Sequence, residues 1–322
     1  MMVSGCNSCQ KSGQNERLRV VVSIFPIYDL VRRVAGPDAD VTLLLQPGHN
    51  EHHFDPTPKD VELAAQAKLG VMVGLGLDPW MEKLLHDASP NARIIKVGDR
   101  VPTLTIKDDP IGADEHDDED HDHDHAGGSS GAAHHEEEHD HHDHEKGAPD
   151  PHVWLDPQRA QLIVRAVAEE LGKVDSPHTL AYRQRATELD KTLVDLDREA
   201  EDRLKKLSKK GFVTFHGSFG YFAERYKLNI LAVIEPFPGS QPTGEYVAKV
   251  LAAIKEKKVP ALYSEPQLDS RPAKVLADAA RANGFAPQLV VAAAYQYATV
   301  LRQPEEALKL LVKLKGQERI RE

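Results

Sequence analysis

Hydrophobic residues in this chain are grouped into short continuous runs separated by segments of helical periodicity. These runs are RVVVSIF (19–25), VTLLL (41–45), LGVMVG (69–74), RIIKV (93–97), FVTF (212–215), ILAVI (230–234), ALYS (261–264) and QLVV (288–291). A run that is apolar at consecutive positions is typical of a strand buried on both faces, as in parallel sheets. The pattern therefore predicts an α/β fold of two lobes, each with a mostly parallel four-stranded sheet flanked by helices.

Several predicted helices begin with a capping side chain followed by proline. Thr57, Asp78 and Asp156 each precede a proline. In such a pair the side-chain oxygen accepts a hydrogen bond from the first turn, and proline takes the first helical position. We expect all three side chains to cap their helices.

A longer helical segment separates the two halves. Ser176 and Pro177 predict its start and Gly211 its end, because serine caps, proline begins and glycine stops helices. Its apolar residues recur at steps of three and four positions, which indicates one buried stripe: Leu189, Leu193, Leu196, Ala200, Leu204 and Leu207. About 33 residues at 1.5 Å each give a rod of about 50 Å. We expect a spine helix that packs along both lobes, although a coiled-coil partner would also fit the stripe.

These patterns divide the chain into four parts. We predict an N-terminal tether at 1–17, a first lobe at 18–174, the spine helix at 175–210 and a second lobe at 211–322. A total of 322 residues is enough chain for two hydrophobic cores.

The first lobe contains an insert, predicted at 112–148, that has almost no apolar residues. It includes EHDDEDHDHDH (115–125) and HHEEEHDHHDHE (134–145). Such a composition cannot build a core, so we expect a disordered loop. An acidic linker would not need so much histidine, whereas imidazole is a common ligand for zinc, copper and nickel. The composition indicates metal binding.

The charge of the chain is concentrated in this insert. Residues 115–146 hold ten of the 17 histidines, 13 of the 51 acidic residues and one of the 40 basic residues. The formal charge is therefore −12 for this segment and +1 for the remainder. Without a basic stripe the chain does not resemble a nucleic-acid-binding protein, and its cysteines and histidines lack zinc-finger spacing.

The two cysteines lie at the N-terminus, in VSGCNSC. The segment VSGC resembles a bacterial lipobox, which makes Cys6 a candidate for lipid attachment, although the preceding apolar region is missing. A CxxC motif also occurs in redox and zinc sites, but here it lies in a polar tail without a second half. The sequence contains no run of 18 apolar residues, so it predicts no membrane span.

Three histidines outside the insert are candidates for a metal site. His52 follows the second predicted strand in EHHFDPTP, His216 follows the fifth in FHGSFGYF, and His152 lies in DPHVWLDP. Ligands collect beyond the carboxyl ends of parallel strands, where His52 and His216 are expected. A single histidine is more often a surface or core residue, so the residues alone leave both readings open.

These three segments together resemble the metal-specific substrate-binding proteins of bacterial ABC transporters, which handle zinc or manganese. The similarity extends over about residues 18–285 and places the ligand histidines at His52 (not His53), His152 and His216. The segment YSEPQ, with Glu265, also has a counterpart in that family. The resemblance implies an extracytoplasmic, monomeric protein, periplasmic or anchored on the outer face of the membrane, that passes its ion to a membrane permease.

The choice of metal follows from the ligand types. Three imidazoles favour zinc, whereas manganese prefers more oxygen ligands, and the family's zinc members also carry acidic, histidine-rich inserts. We therefore expect Zn²⁺, with manganese as the alternative.

The fourth ligand departs from the family pattern. Relatives supply a late aspartate, but APQLVVAAAYQYATVLRQ at 286–303 has no acidic residue. Some zinc members have glutamate directly before the first histidine, so the resemblance makes Glu51 the first candidate, followed by Glu265 and water.

Two further function classes stay open on the sequence. Three histidines with an open position also describe a catalytic zinc, for which Glu51 would be the general base of a hydrolase. Some relatives are surface adhesins, a role with no recognisable motif here. The spine, the tether and the histidine-rich insert fit metal carriage better, so we expect no enzymatic activity.

Overall fold

A computed structural model describes residues 17–46, 49–52, 54–106, 111, 147–235, 242–259, 261–264, 271–282, 284 and 288–291. Three predicted features lie outside these ranges: the tether with Cys6, the histidine-rich segment 115–146, and Glu265.

The first lobe is built on a parallel sheet in the order β2-β1-β3-β4. Its strands are β1 (Leu18–Val22), β2 (Ala39–Leu43), β3 (Leu69–Met72) and β4 (Arg93–Lys96). Each strand ends one to three residues before its apolar run ends. The residues that follow the strands, such as Ile24, Leu44 and Val73, are still buried. The apolar runs therefore continue into the loops at the carboxyl edge of the sheet.

Four helices cover the two faces of this sheet: α1 (Phe25–Ala35), α2 (Pro58–Ala65), α3 (Pro79–Ala88) and α4 (Pro157–Val174). Val20 and Val22 pack with α1 and α4 on one face, whereas Val21 packs with α2 and α3 on the other. This alternation follows from the two-residue period of a strand, and it explains why β1 is apolar at three consecutive positions, Val20 to Val22.

Two of the three predicted caps are confirmed. The Thr57 side chain accepts from Asp60 N, and the Asp156 side chain accepts from Gln158 N at 2.8 Å. The Asp78 prediction is wrong, because its carboxylate does not cap α3.

The Asp78 carboxylate instead holds the loop after β3. It accepts hydrogen bonds from Val73 N and Gly74 N, both at 2.8 Å. Gly74 has a φ of 75°, a conformation that glycine adopts without strain and that turns both amides toward the carboxylate. Burial raises the pKa of Asp78.

The long helix α5 (Thr179–Leu204) has 26 residues and is shorter than predicted. At 1.5 Å per residue it is about 39 Å long. Ser176 and Pro177 form a separate 3-10 turn before it, and Gly211 opens a strand instead of ending the helix. The predicted stripe is buried from Leu189 to Leu204, and the helix packs mainly on α4 and α1 of the first lobe.

The second lobe repeats the order of the first sheet, as β6-β5-β7-β8, with all pairs parallel. Its strands are β5 (Gly211–Thr214), β6 (Asn229–Val233), β7 (Ala261–Ser264) and β8 (Gln288–Val291), and its helices are α6 (Gly220–Tyr226), α7 (Gly244–Glu256) and α8 (Arg271–Ala282). The predicted fold class, two parallel α/β lobes with one long helix, is confirmed.

The two lobes share one hydrophobic core. The largest buried cluster runs from Val20 and Ile163 of the first lobe, through Leu193 of α5, to Phe222 and Tyr263 of the second lobe. A second cluster, which includes Phe215 and Leu262, is formed by buried residues of the second lobe, and Ile111 of the first lobe packs against it. The shared cluster joins the lobes by burial of apolar surface.

Asp197 of α5 adds a polar connection between the lobes. Its carboxylate accepts from Arg225 Nε at 3.0 Å and Tyr226 Oη at 3.1 Å, both on α6, and from Gln158 Nε2 of α4 at 3.4 Å. The carboxylate thus connects α4, α5 and α6. In the described chain, no helix is long and apolar enough to cross a membrane.

Candidate metal site

The three predicted histidines come from separate segments that meet between the lobes. His52 lies in the connection from β2 to α2, and His216 is the second residue after β5. His152 directly precedes a 3-10 turn that leads into α4. His152 and His216 are 4% and 2% exposed, and His52 is half-buried. The site is therefore largely shielded from solvent.

The ligand atoms of these histidines are close enough for one ion. In the described part of the chain, His52, His152 and His216 form the group whose ligand atoms all lie within 4.8 Å of one another. The Nε2 atoms of His152 and His216 are 3.2 Å apart. A tetrahedral zinc with bonds of 2.0–2.1 Å would separate its ligand atoms by about 3.3–3.4 Å. The Nε2 atoms of His152 and His216 are therefore already close to the separation that a tetrahedral zinc requires.

His152 is held by contacts on both sides of its ring. The Asp150 carboxylate lies 2.8 Å from His152 Nδ1 and also accepts from His152 N at 2.9 Å. The ring of Trp154 approaches in an edge geometry with a centroid separation of 5.3 Å. These contacts leave Nε2 directed at His216.

The backbones of the other two histidines are also anchored by hydrogen bonds. The His216 carbonyl accepts from Ser218 N and from Thr214 Oγ1, each at 2.9 Å. His52 N donates to Asn50 Oδ1 at 2.9 Å. Backbone anchoring fixes the position of each loop while the ring direction depends on the surrounding groups.

The His52 loop is supported by an aromatic pair. Phe54 packs edge-on against Trp80 with ring centroids 4.6 Å apart. Trp80 is the second residue of helix α3 and lies two residues after Asp78, whose carboxylate secures the loop that follows β3. The loops after β2 and β3 therefore support each other at the carboxyl edge of the first sheet.

The base of the insert lies beside the site. Thr105 and Pro149 form an antiparallel bridge, and Ile106 N donates to Ala148 O at 2.8 Å. Asp150 N donates to Leu104 O at 2.8 Å. The chain thus returns from the insert two residues before His152, which ties the placement of His152 to this short ladder.

Neither acidic candidate for a fourth ligand belongs to the histidine group in the described part of the chain. Glu51 is 8% exposed and precedes His52, but its carboxylate is not in the group of mutually close ligand atoms among the described residues. Its role as the fourth ligand stays a prediction, and Glu265 lies outside the described residues.

Asp150 contacts His152, and Tyr221 of the second lobe contacts Asp150; sequence reasoning selected neither residue. The one signal for Asp150 is the spacing Asp-x-His, which allows an aspartate to accept from the backbone two residues later. Tyr221 lies five residues after His216, and its role depends on a contact between the lobes that no local pattern reveals.

Comparison with known proteins supports the same class. The family model for the zinc-uptake complex component A, periplasmic, matches residues 20–307. The zinc-binding protein AdcA of Streptococcus pyogenes is 28% identical over 312 residues, which cover 94% of this chain and 57% of AdcA. This chain therefore spans little more than half the length of AdcA. The high-affinity zinc uptake system protein ZnuA of Brucella abortus is 30% identical over 281 residues, covering 85% of this chain and 84% of ZnuA.

A solved structure shows the same fold. The crystal structure of ZnuA matches with a TM-score of 0.73 at 21% identity, over 94% of this chain and 100% of that chain. At this identity the likeness establishes the two-lobed architecture. The family match over residues 20–307 and the Brucella relative establish more: the chain belongs to the family of periplasmic zinc-uptake complex component A proteins.

Proposed function

We propose that this protein binds a zinc ion between its lobes, outside the cytoplasmic membrane, and delivers it to the permease of an ABC transporter. The observation that carries the proposal is the convergence of His52, His152 and His216, with ligand atoms within 4.8 Å of one another. Family membership and the zinc-uptake role named for the Brucella relative support the same substrate and partner.

The ligand chemistry favours zinc over manganese. Zinc takes nitrogen ligands readily in a tetrahedron, whereas manganese prefers carboxylate and water oxygens. Three imidazole nitrogens with one further ligand suit zinc. We propose Glu51 as that ligand, because it is buried beside His52, with Glu265 and water as the alternatives.

Carriage fits this site better than catalysis. A hydrolytic zinc keeps an open position for water and needs a cleft for its substrate. Here His152 and His216 are almost fully buried, and their Nε2 atoms face each other at 3.2 Å. Such a pocket is suited to a bare ion. Glu51 then acts as a ligand instead of a general base.

The location and assembly follow from the same role. We propose that the protein works as a monomer in the periplasm or on the outer face of the membrane, held there by a lipid on Cys6. Mass spectrometry of the membrane-associated protein tests the anchor. Loss of membrane association in a Cys6→Ala variant is the expected result.

The proposed binding role is tested with untagged protein. Metal analysis after dialysis against equimolar zinc and manganese should give one tightly held zinc per chain and little manganese. His86→Ala is the matched control, because the His86 side chain is 84% exposed and lies outside the cluster. Equal retention of manganese would contradict the assignment of zinc. Hydrolytic activity that requires the bound zinc would contradict a pure carrier.

A further inference from the structure

We propose that Asp150 is a positioning residue that directs His152 Nε2 at the metal, and that the second lobe, through Gly220 and Tyr221, holds Asp150 in place. This inference rests on the proposed zinc site. It assigns a function to a side chain that is not itself a ligand.

The contacts of Asp150 define the orientation of the His152 ring. Its Oδ1 atom lies 2.8 Å from His152 Nδ1 and 2.9 Å from His152 N. A carboxylate that accepts from Nδ1 of a histidine leaves the Nε2 lone pair for a metal ion. Nε2 is the atom of His152 that faces His216.

The opposite side of the carboxylate rests on the second lobe. A Cβ atom added to Gly220 would lie 2.7 Å from Asp150 Oδ2. Real Cβ atoms essentially never come so close to another heavy atom. Glycine at 220 therefore allows the α6 backbone to approach the carboxylate, and a larger residue would displace it.

Tyr221 fixes the backbone of Asp150. Its hydroxyl donates to Asp150 O at 2.6 Å and accepts from Leu104 N at 3.0 Å. Burial raises the pKa of Tyr221 to about 12, so the hydroxyl keeps its proton as a donor. The Arg159 guanidinium lies over the Tyr221 ring at 4.5 Å from its centroid.

The contacts of Asp150 with Gly220 and Tyr221 connect the two lobes without a metal ion. His216 lies in the connection from β5 to α6, and Gly220 and Tyr221 are the first two residues of α6. Through Asp150 this segment also sets the ring of His152. The relative orientation of the two histidine rings from opposite lobes is therefore fixed without a metal ion, and His52 completes the site.

A second carboxylate–histidine pair provides a control. His178 Nδ1 lies 2.7 Å from Asp175 Oδ2 at the start of α5, outside the histidine cluster. It has nearly the same hydrogen-bond length as the Asp150 pair. Asp175→Asn therefore removes a carboxylate from a comparable aspartate–histidine pair without changing the proposed site.

The test compares Asp150→Asn with Asp175→Asn at one pH. Zinc affinity is measured by competition with a chelating dye, and the ring tautomer of His152 by ¹⁵N NMR of ligand-free protein, with its signals assigned by their loss in His152→Ala. Loss of a partner that orients a metal-bound histidine costs roughly 10- to 100-fold in affinity. We expect a loss of this size for Asp150→Asn, with a shift away from the Nδ1-protonated tautomer. Asp175→Asn should leave both readouts unchanged.

Gly220→Ala and Tyr221→Phe disturb the same contacts between the lobes without replacing Asp150 itself. The first should displace Asp150 and lower zinc affinity. The second removes one hydrogen bond and should weaken zinc binding about two- to tenfold. These two variants decide the question if Asp150→Asn does not fold.

The outcomes separate this inference from the proposed function. If His152→Ala and His216→Ala retained tight zinc, the proposed site itself would be wrong. If they lost zinc while Asp150→Asn kept both wild-type affinity and the wild-type tautomer, the positioning role of Asp150 would be overturned alone. A loss of affinity without a change of tautomer would also contradict it, because it would assign Asp150 a purely structural effect.

Discussion

The first lobe contributes His52 and His152 to the cluster and the second lobe contributes His216, although both lobes are built on a sheet of the same strand order. His52 and His216 each follow a strand, as expected for ligands at the carboxyl edge of parallel sheets. His152 does not follow a sheet strand. It comes after the ladder at the base of the insert.

This difference teaches that repeated topology does not impose repeated function. The second lobe supplies one histidine together with Gly220 and Tyr221, which contact Asp150 of the first lobe. The first lobe supplies two histidines on separate loops, and most of the packing surface of α5. One lobe therefore provides most of the proposed ligands, and the other provides one proposed ligand and two residues that contact Asp150.

The strongest test of this division removes one histidine at a time. His52→Ala, His152→Ala and His216→Ala should each weaken tight zinc binding by more than the roughly 100-fold cost of losing an outer partner. Alanine offers no ligand atom, so neither lobe can compensate. Chelator competition measures the affinities, with His86→Ala as the exposed control. Tight binding that survived His216→Ala would mean that the first lobe suffices alone.

A smaller effect is expected at the fourth position. Glu51→Gln should weaken zinc binding about tenfold, because an amide oxygen is a poorer zinc ligand than a carboxylate. Glu265→Gln is the companion variant, because a ligand at Glu265 would mean that each lobe contributes two ligands. If only Glu265→Gln weakens binding, the assignment of Glu51 is wrong. If neither does, water completes the shell.

The connection between lobes gives a prediction about stability. Tyr226→Phe removes the hydrogen bond from α6 to Asp197 and should lower the free energy of unfolding by about 1 kcal/mol. Denaturant titration of the zinc-free protein measures the change. Leu180→Ala is the control, because Leu180 lies on the same helix as Asp197 but is 80% exposed. An unchanged midpoint for Tyr226→Phe would show that the Tyr226 hydrogen bond does not help to join the lobes.

The smallest expected effect on the tight site comes from deleting residues 115–146. Their composition predicts no packed core, so we expect each ion they bind to order the chain first. The deletion should remove weak additional ions and leave the tight affinity unchanged within about twofold. Calorimetric titration separates the two classes. Loss of the tight ion from a folded deletion variant would place the primary site in the insert.

Burial on both faces made the strands predictable from sequence. Runs such as ALYS at 261–264 coincide with observed strands, because consecutive apolar residues fit few other environments. Helix ends were harder to predict. The spine was expected to reach Gly211 but ends at Leu204, because Gly211 begins β5 and pairs with Asn229. Asp78 resembled a cap, yet its carboxylate binds the amides of the preceding loop.

The site was predictable where residues have a local motif and not where they depend on tertiary contacts. The three histidine segments carry recognisable motifs, and the fold brings the histidines together. Asp150 and Tyr221 are separated by 71 residues, and their hydrogen bond forms only after both lobes are in place. No spacing rule predicts such a pair.

Both tryptophans of this chain lie in the first lobe, and each adjoins a histidine segment. Trp154 contacts the ring of His152, and Trp80 packs edge-on against Phe54, two residues after His52. Their indole nitrogens are buried. Tryptophan fluorescence will therefore report mainly on the surroundings of His52 and His152. An emission change on addition of zinc would time the rearrangement of these two first-lobe segments.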